Sequence, residues 1–437
     1  LWYNNKVINS ARFGIINMKK IKKFDFKKRP KKVLQLWKFI AILIVMPLLR
    51  LRRLKLLKKQ MKGLKPPYLL LSNHHSFYDF FVLQRVLFPH KANYIITIDG
   101  FHDHGEMWLR MFGGIGKRKF TNDISLIKNM KHCITKYKNI VVMYPEARYS
   151  IDGTTSMLPE SLGKVVKFLN VPVVTLNMRG NYIAQPQWNK IKRKIPFEAD
   201  VTQIITKEDL PKLNVEEINT RIEDALQYND WEYMKQNNYL LPASNRAEHL
   251  NRLLYQCPHC KTAHHMHGVG IKLSCDVCGK EWIMKENGSL EALDKDTEFD
   301  NVPDWYHWER EMVRKEVENG SYFFEDEVIV KTLPNSKKFY YQGKGYFRHD
   351  MNGYYLKCNL YGEPYEHTWK SLENYSCHIE YDYKGEGDCI DISISDESFF
   401  IFPQTKRDVI TKISLATEEI YKYKHKLVEE NKKNKNN

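Results

Sequence analysis

The octapeptide Ser72-Asn73-His74-His75-Ser76-Phe77-Tyr78-Asp79 directly follows the apolar run Tyr68-Leu69-Leu70-Leu71, and places His74 five residues before Asp79. That spacing constrains the fold more than any other feature of the chain. On an unbroken helix five residues turn through about 500°, leaving the two side chains about 140° apart, so a regular helix would keep them from touching. Contact therefore requires a strand end, a turn holding His74, and Asp79 on the helix that follows. An imidazole oriented by a carboxylate is a ready general base for a hydroxyl nucleophile. Alone, the spacing favours a satisfied structural histidine; the rest of the chain changes the balance.

Three further blocks follow in order. Phe112-Gly113-Gly114-Ile115-Gly116-Lys117-Arg118 reads as a glycine-rich turn ending in cations, suited to bringing backbone and guanidinium close to a phosphate. Val141 to Ser150 reads as a buried strand running through Tyr144 and Pro145 into a loop that carries Glu146 and Arg148. Val171-Pro172-Val173-Val174 opens another short apolar strand.

With these four blocks the sequence resembles the glycerolipid acyltransferase family, typified by 1-acyl-glycerol-3-phosphate acyltransferase, whose blocks read NHxSxxD, GxxxxxR, FPEGTRS and VPV. Asn73, His74, Ser76 and Asp79 match the first block, Arg118 the end of the second, Pro145, Glu146 and Ser150 the third, and Pro172 the fourth. The resemblance covers roughly residues 30–240. One block departs from the pattern: Ala147, Arg148 and Tyr149 stand where the family has Gly-Thr-Arg, so the arginine has moved one position. That block helps hold the acceptor's phosphate in the family, so the departure bears on the acceptor and not on the chemistry.

The chemistry expected is direct acyl transfer. His74 removes the proton of an acceptor hydroxyl, Asp79 fixes its tautomer and stabilises the imidazolium, and the alkoxide attacks an acyl thioester carried on coenzyme A or an acyl-carrier protein. No Gly-x-Ser-x-Gly elbow is present, and Cys133 lies in a lysine-rich helical pattern, so no serine or cysteine nucleophile is marked. Arg118, Lys117 and Arg148 are expected to neutralise a phosphate, with guanidinium forks preferred for that geometry. By the resemblance Glu146 lies at the acceptor site, binding a glycerol hydroxyl or anchoring an arginine, and Ser76 joins it there. Taken alone, the basic residues at 117–119 read as a solvated turn.

A second signal is Cys257-Pro258-His259-Cys260 and, after fourteen intervening residues, Cys275-Asp276-Val277-Cys278. Two such knuckles supply four thiolates for tetrahedral zinc, and a closed four-sulfur site is structural because it has no open coordination position. His264, His265 and His267 are expected as exposed loop histidines. Cys133, Cys358, Cys377 and Cys389 form no disulfide framework and read as buried, reduced thiols, which argues against secretion.

The formal net charge of +17 concentrates toward the ends and in the first domain. Lysine runs before residue 33 and cations from Arg50 to Lys59 flank an apolar segment, Val33 to Leu49, interrupted by Gln35 and Lys38. A full span needs about 20 apolar residues, so this segment reads as an interfacial or re-entrant helix at the cytoplasmic face of the cell membrane, peripheral or monotopic, its lysines drawn to anionic head groups. A signal peptide is disfavoured by the long stretch before the apolar core. Nucleic acid is a disfavoured partner, because the cations surround apolar sequence and not aromatics on a strand platform.

The expected layout is a basic extension over 1–32, a membrane-associating helical segment over 33–60, an acyltransferase domain over 61–240, a zinc ribbon over 250–290, a β-rich domain with a terminal helix over 296–430 and a disordered tail over 431–437. The first domain is expected to be α/β, a mixed sheet flanked by helices, since strand-like runs at 68–71, 93–97, 140–144, 172–177 and 196–205 alternate with helical patterns. The last domain has the element order of a pleckstrin-homology-type barrel, without a matching motif. The reading is an O-acyltransferase for lysophosphatidic acid or a related lysophospholipid. Its alternatives are a different acceptor, such as a glycolipid or aminolipid, or a non-catalytic adaptor binding membrane or nucleic acid.

Overall fold

The computed structural model describes residues 21–436. Readings that fall on residues 1–20, most of the basic extension among them, lie outside the described residues. Seven strands form the first sheet: β1 (Lys55–Lys59), β2 (Leu69–Ser72), β3 (Ala92–Thr97), β4 (Gly114–Lys117), β5 (Ile140–Met143), β6 (Val173–Arg179) and β7 (Glu198–Ile205). Their order is β1-β7-β6-β2-β5-β3-β4, parallel throughout except for the antiparallel β6/β7 pair, so the sheet is mixed.

The uninterrupted apolar runs follow from burial on both faces. Leu70, Val142 and Val174 point into one apolar cluster, whereas Leu69, Leu71, Val141 and Val173 point into another beneath the helices Ile124–Lys136, Leu162–Leu169 and Val215–Ala225. The Val215–Ala225 helix starts at a reciprocal capping box, Asn214 with Glu217, that satisfies two otherwise open backbone donors.

Two segments differ from the sequence reading. The helix Gln35–Leu51 ends nine residues before the expected boundary at 60, and Lys55–Lys59 turns into an edge strand beside β7, with Lys55 paired to Glu198 at 3.2 Å and Lys59 to Asp200 at 2.6 Å. The glycine block 112–118 is not a phosphate turn: Gly114–Lys117 is the other edge strand. Its glycines make room for packing, since a Cβ on Gly116 would clash with the Phe24 ring and one on Gly114 would lie 2.8 Å from the Leu109 carbonyl oxygen.

The cysteine-bearing segment forms a four-stranded antiparallel sheet from β8 (Met266–Val269), β9 (Lys272–Cys275), β10 (Glu281–Met284) and β11 (Leu290–Ala292). After the helix Val302–Glu318 come β12 (Phe324–Thr332), β13 (Tyr340–Asp350), β14 (Gly353–Leu360), β15 (Glu363–Lys370), β16 (His378–Glu380), β17 (Cys389–Ser393) and β18 (Ser398–Pro403), in the order β15-β14-β13-β12-β18-β17-β16 and antiparallel. The last helix, Ile410–Asn436, continues through the tail expected to be disordered from 431, and Lys432 bonds Glu429 at 2.7 Å one turn back.

The three parts share core. One apolar cluster runs from Val45 and Leu70 through Tyr255, Cys257 and Trp282 to Trp305, Phe347 and Ile413, and a second seam joins Phe24, Ile98 and Phe101 to Leu333, Cys389, Phe400 and Phe402.

Candidate active site and cysteine cluster

β2 and β5 are parallel neighbours, so their C-terminal ends open at the same edge of the sheet, the usual place for a site in such folds. The chain leaving β2 carries the first block and the chain leaving β5 carries the third. Asn73 fastens the first loop to the adjacent strand: its Oδ1 accepts from Met178 N and its Nδ2 donates to Met178 O, both at 2.9 Å. The two loops are stitched together by His74, whose N–H donates to Glu146 Oε1 at 3.3 Å and whose carbonyl accepts from Ser150 N at 2.7 Å.

The helix Tyr78–Leu87 begins just after this turn, which brings Asp79 back over the loop. His74 Nδ1 lies 2.8 Å from Asp79 Oδ2. The same oxygen accepts from His75 N at 2.6 Å and Ser76 N at 3.2 Å, and Oδ1 accepts from Asn181 Nδ2 at 2.7 Å. Asp79 is fully buried, and burial alone would raise its pKa; the His74 hydrogen bond and charge, with the His75 N–H, hold it below the ordinary value instead. With Nδ1–H directed at a carboxylate, Nε2 keeps its lone pair. Burial pushes the imidazole below its ordinary pKa, against the pull of Asp79, so the ring is a neutral base at pH 7. Its side chain remains 21 % exposed. Tyr144 stacks on it at 3.8 Å between centroids, and Tyr149 packs at 4.3 Å, tilted by 44°.

The other residues expected at the acceptor site are arranged differently. Ser76 is buried, its hydroxyl donating to Asn181 O at 3.2 Å, which makes it a brace for the loop. Lys117 is turned onto the Thr121 carbonyl, and burial lowers its pKa to about 8. Arg118 points into the β-rich domain, where its Nη1 and Nη2 meet the carbonyls of Leu333, Pro334 and Asp396 at 3.0 Å and Ser398 Oγ at 2.7 Å. Arg148 likewise turns away, to Glu418 at 2.6 Å and Ser414 Oγ at 2.8 Å on the last helix. The expectation that these guanidiniums face a substrate phosphate is therefore corrected, because the C-terminal domain supplies their acceptors. Glu146 accepts from the His74 N–H beside the pair and braces loops, accepting also from Ser156 N at 3.2 Å and from Tyr228 OH at 3.2 Å. Burial raises its pKa.

Sequence reasoning missed Asn181 and the two tyrosines. Tyr144 and Tyr149 sit inside the third block, so that block was the available signal. Asn181 lies 102 residues beyond Asp79 and only the β6 crossover brings it near.

A family model described as Acyltransferase matches residues 51–179, the stretch that carries all four blocks. Over those residues the chain is similar to that family. No curated protein matches the chain. Four chains of solved structure do. One is the crystal structure of the 1-acyl-sn-glycerophosphate (LPA) acyltransferase PlsC from Thermotoga maritima, 14 % identical with a TM-score of 0.35, covering 43 % of this chain and 76 % of that one. Within the matched residues, the loops at the ends of β2 and β5 hold the first and third blocks in contact.

Away from this domain, Cys257, Cys260, Cys275 and Cys278 gather their sulfurs within 4.8 Å of one another, and could bind a metal. The Cys257–Cys278 and Cys260–Cys275 sulfurs are each 3.7 Å apart. Four thiolates around one zinc at about 2.3 Å would stand about 3.8 Å from each other, so the donor set and spacing fit that ion, whereas a disulfide needs about 2 Å. Of the nearby histidines, His265 and His267 are exposed and both bond Asp276, at 2.8 and 3.0 Å. His264, expected to be exposed, is instead partly buried and stacks on Tyr255 at 5.2 Å.

Proposed function

We propose that the chain is a membrane-associated O-acyltransferase that moves a fatty acyl group from an acyl thioester, on coenzyme A or an acyl-carrier protein, to a lipid hydroxyl. The observation that carries this reading is the His74–Asp79 contact at 2.8 Å, with the imidazole still partly open to solvent. His74 Nε2 takes the acceptor's proton as its oxygen attacks the thioester carbonyl. The tetrahedral intermediate then collapses with cleavage of the C–S bond, and the imidazolium returns the proton to the departing thiolate. Asp79 stabilises the imidazolium in between. No acyl-enzyme is required, in keeping with the burial of Cys133, Cys358, Cys377 and Cys389.

The family resemblance names lysophosphatidic acid or a related lysophospholipid as acceptor. A second reading, a different acceptor, is favoured by one observation: Arg118 and Arg148 are both engaged by the C-terminal domain.

Membrane association is supported by the helix Gln35–Leu51, which leaves Leu36, Phe39, Leu43 and Ile44 exposed and whose Trp37 meets the exposed Trp108 ring at 6.1 Å. Among the described residues no helix is long and apolar enough to cross a membrane. With exposed Arg50 and Arg53 at its end, the helix suits a position lying in one leaflet, at the cytoplasmic face. The sulfur spacing supports a structural zinc ribbon. Seven antiparallel strands followed by a helix support a pleckstrin-homology-like β-rich domain.

The test is transfer of radiolabelled acyl groups from acyl-CoA and acyl-carrier protein to a panel of lysolipids by the purified chain. His74→Ala should abolish transfer while leaving the melting temperature unchanged. Absence of transfer by the parent to every acceptor favours the non-catalytic adaptor.

A further inference from the structure

The second and third blocks carry three cations, at 117, 118 and 148, Lys119 directly follows the second, and every one of the four has protein partners. Lys117 bonds the Thr121 carbonyl. Arg118, 1 % exposed, holds three carbonyls and a hydroxyl of the β-rich domain. Lys119, 6 % exposed, lies between Asp99 at 2.8 Å and Asp391 of β17 at 3.0 Å. Arg148, 5 % exposed, is paired with Glu418 at 2.6 Å. Three of the four are thus tied to the C-terminal domain, across a junction whose apolar seam of Phe101, Phe400 and Phe402 makes it a permanent part of the fold.

What faces the candidate base from the third block is Tyr149, 4.3 Å from the His74 ring, at the position where the pattern FPEGTRS has its arginine. Tyr144 covers the other contact at 3.8 Å. The charged groups bonded directly to His74 are carboxylates, Asp79 to its ring and Glu146 to its backbone.

Resting on the proposed reading of acyl transfer at His74, we infer that the acceptor is a lipid with an uncharged polyol head, and that Tyr149 together with the capture of Arg118, Lys119 and Arg148 by the β-rich domain excludes acceptors with a phosphate beside the reacting hydroxyl. A phosphate monoester carries a charge of about −1.5 to −2 near neutral pH and three strong acceptor oxygens. Admitting one here sets it against Asp79 and Glu146 with none of these four cations released to meet it, and freeing Arg118 would strand buried carbonyls. Polyol hydroxyls, in contrast, donate to carboxylates and phenols without adding charge.

The experiment uses the full chain with radiolabelled acyl-CoA and vesicles containing, in turn, monoacylglycerol, a monoacyl glycosylglycerol, lysophosphatidic acid and lysophosphatidylethanolamine. Uncharged acceptors are expected to exceed both phosphate-bearing ones in kcat/KM by about tenfold or more, since like-charge juxtaposition is unfavourable. Equal or higher kcat/KM for either phosphate-bearing lipid overturns the inference while leaving the acyltransferase reading intact. No transfer to any acceptor removes that reading and this inference with it. Tyr149→Arg should narrow the gap by about tenfold by returning a guanidinium to the ring of His74. An unchanged ratio in a variant that melts with the parent overturns the role of position 149, and if the variant does not fold, the parent panel decides alone.

Discussion

Arg148 Nη2 donates to Glu418 Oε1 over 2.6 Å, joining the loop after β5 to a helix 270 residues further along the chain. Both side chains are buried, and Glu418 also accepts from Arg310 at 2.7 Å and Ser376 Oγ at 2.8 Å. The third family block therefore ends in a cross-domain ion network and not in an open phosphate site.

Removing the anion from this network leaves the buried Arg148 guanidinium without its counter-charge, while Arg310 keeps Glu419 at 3.0 Å. Glu418→Gln is expected to destabilise the protein by about 3–5 kcal/mol, the usual cost of breaking a buried pair from one side. Equilibrium denaturation in urea checks this. Burial would raise the Glu418 pKa, but Arg148 and Arg310 hold it at about 2, below its ordinary 4.5. A depressed carboxylate stabilises the fold above its unfolded pKa and loses that contribution as pH falls through the folded one. The parent should therefore lose stability between pH 4.5 and about 2, and the gap to Glu418→Gln should shrink over the same window. A gap independent of pH contradicts the assignment.

The base-limb of the pH–rate profile is a second check. The His74 pKa lies below 6.5 because burial disfavours the imidazolium more than Asp79 favours it. The acid-side midpoint of kcat/KM should therefore lie below 6.5. Asp79→Asn removes the carboxylate that orients the ring, and kcat should drop by about 100-fold or more, the range in which a positioned base acts. A midpoint above 6.5 in kcat/KM is the result that excludes His74 as the base.

Metal content addresses the cysteine cluster. The parent chain is expected to hold about one zinc per molecule, and Cys257→Ser with Cys278→Ser should lose it. Because Cys257 also belongs to the shared apolar core, the same double variant should melt at a lower temperature. Equal zinc in both proteins by atomic absorption would rule the site out.

Vesicle binding reports on the first helix. Leu43→Asp with Ile44→Asp places two charges on its exposed face without touching Lys38, Val45 or Leu49, which are buried. Sedimentation with anionic vesicles should fall by about tenfold or more, given the area these side chains can bury in the interface. Thermal stability should not change, because neither side chain packs inside the protein.

The pair at the centre of the site was legible because both partners belong to one local sequence, a strand end, a tight turn and the first turn of a helix. Local geometry brings His74 to Asp79, and Met178, Glu146 and Asn181 from elsewhere in the fold then brace the loop and the pair. The same holds for the apolar runs that became β2, β5 and β6, and for the two cysteine knuckles, whose spacing is a property of the turn. The glycine block misled for the opposite reason. Gly114 and Gly116 are small because Leu109 and Phe24 approach them, and no neighbour in the sequence announces that approach.

Where a side chain points once it leaves its block was decided elsewhere. Lysine and arginine stems reach far enough to choose between the site and a distant domain, and the choice rests on which buried acceptors that domain offers. Arg118 and Arg148 found theirs more than 200 residues away, so their motif positions could not foretell their roles. Sequence thus set the dyad, the strands beneath it and the cysteine spacing through short-range geometry. Tertiary packing alone determined the electrostatics around the base, because buried charges take their partners from whatever the fold brings within reach.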